Sequence, residues 1–246
     1  MKSFKVATIF LLIIASGIVN AQKKKVAVIT FYADKVIDLS EVDASADFIA
    51  KNTKLSDDPN FNLSKPLGNF HEAFFNNYVG EFDFELIPEE TVLQLPEYKE
   101  FEAAYGNYKN IGNQDAHEVI DGYKVVQSYG SRLEVKNLKP LAEALGADAV
   151  MFVRLNYKFN KTGIGKLGYY SVQASVGIDL FSKDNKSIFQ FSEIAGSKKK
   201  AVMVGGIPVM TPEKIQPMCE SATEELIKDM NKKIERLAKK ANKKLK

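Results

Sequence analysis

The chain has 246 residues, 45% of them apolar and 26% charged, with 34 Lys and Arg against 31 Asp and Glu. That composition suits a globular protein able to bury a core, and a net charge of +3 gives no electrostatic case for a nucleic-acid partner. Cys219 is the single cysteine, so an internal disulfide is excluded; in an oxidising compartment it must be buried or pair between chains.

Residues 1–21 read as a signal peptide. Lys2 and Lys5 form a positive start, Ala7 to Ile14 an apolar run, and Val19-Asn20-Ala21 a small-residue cleavage site. The run is shorter than the ~20 residues a bilayer span requires. The mature chain is expected to start at Gln22, exported to the periplasm or beyond, and losing the two lysines takes its charge from +3 to +1. Residues 22–246 then read as a single α+β domain with insertions at 33–63 and 89–134.

Val26 to Tyr32 is an unbroken β-branched and aromatic run, the pattern of a strand covered on both faces. The polar stretch 33–63 carries Asp34, Asp38, Asp43, Asp47, Asp57 and Asp58, but at no calcium-loop spacing, so these read as solvated loop carboxylates. Ser64 offers a helix cap and Pro66 a first-turn proline. Leu67, Phe70, Phe74, Phe75 and Tyr78 then mark one face of a helix over 64–79, stopped by Gly80. His71 beside that face reads as a structural hydrogen-bonding residue. Phe82 to Ile87 is a short strand closed by Pro88.

The 89–134 insertion suggests a helix at Tyr98 to Tyr105 and a strand at Tyr123 to Ser128. His117, Glu118 and Asp121 on the loop between them have the makings of an acid/base pair, so a periplasmic hydrolase is one alternative. No nucleophile elbow accompanies them, and no set of catalytic residues is assigned.

Leu138, Leu141, Ala142 and Leu145 recur at helical spacing over 135–145, and Gly146 stands where a helix end favours positive φ. A strand of period two follows from Ala149 to Phe159. Gly163-Ile164-Gly165-Lys166-Leu167-Gly168 matches the dinucleotide fingerprint as a string. A strand follows it, however, where nucleotide binding needs a helix, so it reads as a hairpin connection. Strands at 169–181 and 187–193 complete an antiparallel run.

Residues 201–210, preceded by Lys198, Lys199 and Lys200, are apolar. They read either as a hairpin folded over the core or as a flap that meets a partner, with Val202, Met203, Val204, Ile207, Val209 and Met210 as candidate protein-binding residues. The last helix is expected to start at Pro212 or Pro217, with capping-box spacing from Ser221 to Glu224. Leu226, Met230, Ile234, Leu237, Ala241 and Leu245 form its apolar stripe. Lys232, Lys233, Arg236, Lys239, Lys240 and Lys243 form a basic face, solvated or set against an anionic membrane surface. No metal or cofactor set is apparent.

The order strand, aromatic helix, strand, then Ala142 to Val150 ("AEALGADAV") into a long strand and hairpins, resembles a family of bacterial envelope proteins. That family includes the periplasmic domain of the curli secretion channel subunit, the lipoprotein activators of penicillin-binding proteins and the N-terminal domain of the Tol-Pal propeller protein. The resemblance implies a mixed sheet in which Val26–Tyr32 lies parallel to Ala149–Phe159, with Asp148 bonding backbone at the turn. It implies a non-enzymatic function by protein–protein contact, with an envelope protein or peptidoglycan-associated machinery as partner. The expected fold is α+β: a mixed sheet with helices 64–79 and 135–145 packed on one face and a basic amphipathic C-terminal helix against it.

Overall fold

A computed structural model of the chain describes residues 23–41, 46–101, 116–126, 138–164, 167–203 and 209–245. The signal-peptide assignment and two of the candidate binding residues, Val204 and Ile207, lie outside them.

The fold is α+β, a mixed curled sheet with a long C-terminal helix against it. Strands β1 (Lys24–Asp34), β2 (Phe84–Leu86), β4 (Ala149–Ile164), β5 (Leu167–Ser182) and β6 (Ser187–Gly196) lie in the order β2-β1-β4-β5-β6. Strand β3 (His117–Val119) adds to the end of β1, and β7 (Ala201–Val202) to β5 beyond β6. β1 and β4 run parallel as expected; their register sets Val26 opposite Ala149, with a slip between Val28 and Thr30. β4 and β5 pair antiparallel from Ala149↔Ser182 to Ile164↔Leu167, so Gly163, Ile164, Leu167 and Gly168 of the glycine-rich stretch lie in paired strands, with no helix following.

The turn into β4 works as its chemistry dictates. Gly146 takes φ +61° at the end of a helix over Leu138–Ala144. The Ala147 amide reaches back to the Ala142 carbonyl at 2.8 Å, closing the helix in the manner of a Schellman cap. Asp148 then clamps β1 twice: its amide donates to the Lys25 carbonyl, and its Oδ2 accepts from the Lys25 amide, each at 2.8 Å.

The helices, in chain order, are α1 (Ala46–Asp57), α2 (Ser64–Ala73), α3 (Glu89–Gln94), α4 (Pro96–Glu100), α5 (Leu138–Ala144) and α6 (Pro212–Leu245). They cover both faces of the sheet. Val26, Val28, Phe31, Met151, Val153, Leu155 and Ile178 pack with α2 and α6 in one core. Ala27, Ile29, Val150, Phe152 and Phe181 pack with α4 and α5 in a second. The expectation that helices 64–79 and 135–145 share a face is therefore corrected. β1 contributes alternate residues to both cores, which is why its run is apolar throughout.

Three local readings also change. Helix α2 ends at Ala73 and continues as a π-helical turn over Phe74–Tyr78, which aims Phe74 and Tyr78 into the core. Ser64 is its first helical residue, not its cap. The N-cap position is Leu63, whose side chain caps nothing; Asn62 Oδ1 accepts the Ser64 amide at 2.7 Å, and Glu118 on β3 accepts the Leu63 amide at 3.3 Å and the Ser64 hydroxyl at 2.7 Å. α6 begins at Pro212 with Pro217 inside it, so Ser221 is mid-helix and its Oγ accepts the Lys198 amide at 3.2 Å.

No strand forms over Tyr123 to Val126. That segment is tied to β1 by side chains instead of a ladder. The Thr30 hydroxyl donates to the Lys124 carbonyl at 2.6 Å and accepts the Val126 amide at 3.1 Å. The Tyr98 hydroxyl donates to the Ile29 carbonyl and accepts the Lys124 amide, both at 2.9 Å. Cys219 is fully buried, one of the two alternatives left by the sequence.

Candidate functional site

Four places carry unusual chemistry, and the sequence-predicted residues divide among them. The first is a pair on α2 and α3. His71 Nε2 lies 2.6 Å from Glu89 Oε1. A carboxylate only accepts, so Nε2 carries the proton. The imidazole sits edge-on to Phe31, centroids 4.9 Å apart, and against Phe75 at 4.6 Å. Burial pushes the Glu89 carboxyl up, but the hydrogen bond and charge of His71 outweigh it and hold the group below its ordinary range. The buried Tyr123 ring packs on Phe31 beside them, and desolvation together with the Glu89 charge keeps its hydroxyl protonated. His71 is thus the structural hydrogen-bonding residue its position suggested. Glu89 and Glu90 border a shallow depression of about 310 Å³ with Leu93, Ile120 and Asp121.

The second place is the outer side of the sheet beyond the α5 core. His117 is the register partner of Asp34, and its ring meets Tyr32 edge-on at 5.2 Å. Arg154 Nη2 stands 3.4 Å from the buried Asp179 carboxylate. Its side chain lies over Gly177, where a Cβ would come within 2.9 Å of Nε. Burial raises the Asp34 carboxyl, opposed by the charges of His117 and Arg154. Burial also raises the Tyr32 phenol.

This geometry corrects the predicted His117 pairing. His117 and Glu118 are consecutive strand residues and point to opposite faces. Glu118 turns to the start of α2, where its carboxylate meets the Leu63 amide and the Ser64 hydroxyl. Asp121 is exposed on the rim of the α3 depression. The partner His117 does have, Asp34, is 83 positions away in sequence. The readable signal for this cluster was Arg154 as the sole charge from Ala149 to Tyr157 and Asp179 as the sole charge from Leu167 to Ser182. Among the described residues no group of three or more His, Cys, Asp or Glu side chains gathers as a metal site.

The third place is the end of the β4–β5 hairpin. Val202 is 61% exposed and is the register partner of Tyr169, itself 54% exposed. Met203, the next residue, is buried, and Val209 and Met210 are half-buried, with the Val209 carbonyl accepting the Tyr170 hydroxyl at 3.0 Å. Of the described residues here, Met203 closes over the core while Val202 faces out.

The fourth is α6. Lys232, Arg236, Lys239, Lys240 and Lys243 are exposed along it, while Lys233 is half-buried and bonds Glu193 of β6 at 2.7 Å. Lys232 is paired one turn back with Asp229. Among the described residues, no helix is long and apolar enough to cross a membrane.

No sequence-family profile matches the chain, and no curated protein matches it by sequence. Among solved structures, three bacterial proteins align distantly. The hypothetical protein CT253 of Chlamydia trachomatis aligns at 12% identity and TM-score 0.33 over 86% of this chain and 98% of its own. A homolog of the neuraminyllactose-binding hemagglutinin from Helicobacter pylori aligns at 14% identity and TM-score 0.29, covering 51% and 70%. The lipoprotein GNA1162 of Neisseria meningitidis aligns at 10% identity and TM-score 0.27, covering 72% and 85%.

Proposed function

We propose that this chain is an exported module of the bacterial envelope that works by protein–protein contact, without catalysis of its own. The supporting observation is the exposed apolar pair Tyr169 and Val202 at the far end of the sheet, continuous with the loop 201–210. Large apolar side chains set side by side in water mark contact surfaces more often than they occur by chance. The signal-peptide pattern and the Ala142–Val150 turn that resembles the curli, penicillin-binding-protein activator and Tol-Pal proteins agree with this reading. An envelope protein or peptidoglycan-associated machinery is the partner class it implies.

A photo-crosslinking residue placed at Val202 in the exported chain tests it. The expected result is a discrete envelope-protein adduct that Tyr169→Lys abolishes. No adduct at position 202, or one indifferent to Tyr169→Lys, overturns the proposal.

A second reading is contact with an anionic membrane surface. It is favoured by Arg236, Lys239, Lys240 and Lys243, all exposed on the last turns of α6. Flotation with anionic vesicles at low salt would show it, and failure to float there would end it.

A further inference from the structure

Among the described residues β6 ends the sheet: β5 lies on one side of it and no strand on the other. The Ser197 amide donates to the Val172 carbonyl at 2.8 Å, which fixes the phase of the ladder. In an antiparallel pair the residues bonded to the partner alternate with residues whose amide and carbonyl point away. Counting back from Ser197, the odd-numbered residues of β6 turn to β5. The even-numbered Ser192, Ile194 and Gly196 turn their backbone outward. The side chains of Ser192 and Ile194 lie on the face away from α6, because Phe189, Glu193 and Ala195 take the α6 side. All three are exposed, Ile194 at 57%.

From this we infer that β6 receives an extended acidic segment of a partner protein by strand addition. The inference rests on the binding-module reading and names a partner chemistry for it. Main-chain groups of alternate residues offer the ladder, Ile194 offers one apolar contact, and the small Ser192 and Gly196 leave room on either side.

Charge decides between occupants. From Lys183 to Lys200 the chain carries five lysines against Asp184 and Glu193. Lys183 and Lys186 stand at one end of β6 and Lys198 to Lys200 at the other, where Lys198 is paired with Glu225 at 2.9 Å and Lys199 and Lys200 carry the remaining charge. Glu193 is already bonded to Lys233, and Asp184 faces Lys139 at 3.6 Å. On the same flank of α6 as Lys233, Arg236 and Lys240 follow at helical spacing. A carboxylate-rich strand meets opposite charge at both ends and along this flank. A second copy does not: antiparallel pairing about a two-fold would set Lys198–Lys200 of one chain against Lys183 and Lys186 of the other.

The test uses the exported chain and a fluorescein-labelled peptide of about ten residues, the length of an ordinary edge strand, alternating Glu with Val. The acidic peptide should bind, lose affinity as salt rises, and slow hydrogen exchange at Ser192 and Ile194. A version with Lys in place of Glu should not bind. Ser192→Pro removes an outward N–H without touching the β5 ladder, as edge strands tolerate. It should weaken binding about tenfold, the worth of one lost hydrogen bond. A backbone N-methylated acidic peptide cannot complete the ladder, so it should fail to bind the unaltered chain whatever the fold of the proline variant.

The inference is overturned if the acidic peptide does not bind, if the Lys peptide binds equally, or if N-methylation leaves affinity unchanged. A dimer that Ser192→Pro dissolves also overturns it, by assigning the edge to a second copy. If the peptide fails while the Val202 adduct persists, this inference falls and the binding-module reading stands.

Discussion

Replacing Glu89 by Gln tests whether the contact between α2 and α3 is held by charge. The Nε2–Oε1 distance of 2.6 Å is that of a charge-assisted hydrogen bond. Such bonds contribute roughly 1.5–3 kcal/mol. The side chains are 20% and 28% exposed, so water competes and the lower end applies. Glutamine keeps the shape and one acceptor, so the expected loss at pH 7 is about 1 kcal/mol, or about 2–4 °C in Tm for a chain of this size. The pH dependence is the sharper measurement. The Glu89 carboxyl titrates lower in the folded chain than in the unfolded one. Its stabilisation is therefore fully present above the unfolded value near pH 4.5 and is lost as pH falls through the folded one. Urea denaturation at neutral and acidic pH should show the Glu89→Gln penalty shrinking toward zero in acid. A penalty equal at both pH values, or none at pH 7, refutes the assignment.

Three further outcomes follow from the same geometry. Thr30→Val leaves the Lys124 carbonyl and the Val126 amide without their partner and should cost about 2 kcal/mol in urea denaturation; a change under about 0.5 kcal/mol would show that segment 123–126 is held otherwise. Gly177→Ala drives a methyl to within 2.9 Å of Arg154 Nε and should destabilise by about 1–3 kcal/mol, whereas Gly196→Ala, with nothing within 4 Å, should be close to neutral; equal effects in melting curves would contradict the placement of Arg154 across Gly177. Cys219 is fully buried and its thiol is pushed up by desolvation, so a thiol reagent should label it only as the chain unfolds, and stoichiometric labelling of the native protein within minutes would place it elsewhere.

What could be read from sequence was local. Gly146, Asp148 and the alternation of Met151 to Phe159 each specify their structure within a few residues. The parallel pairing of β1 with β4 came instead from the family resemblance that the Ala142–Val150 segment carries. The side taken by α5 was not readable, because β1 is apolar at every position from Val26 to Ile29. An unbroken run carries no phase, and only the tertiary structure assigns Val26 and Val28 to one core and Ala27 and Ile29 to the other. Helix α1 was missed for a similar reason. What anchors it is distant: Asn52 Nδ2 donates to the Ile37 carbonyl at 2.7 Å, and Leu55 is buried in the α2–α6 core.

The candidate site shows the same limit more sharply. His117 and Glu118 looked like partners because they are adjacent, and adjacency is useful only in a loop or turn. Three residues of strand pairing with Tyr32 to Asp34 put them on opposite faces and give each a distant partner, Asp34 for one and the start of α2 for the other. The described residues at the start of the apolar loop divide in the same way: Val202 on β7 faces out, and Met203, just beyond the strand, is buried. A consequence bears on function. The core under β1 and β4 is closed by helices on both faces, so a partner finds no entry there. The sheet stays open where β5 and β6 leave the α5 core, at the Tyr169–Val202 end and along the outward amides of Ser192 to Gly196. Contact by main chain and a few apolar side chains is what such a boundary can offer, and the lysines gathered at both ends of β6 restrict which strands can take it up.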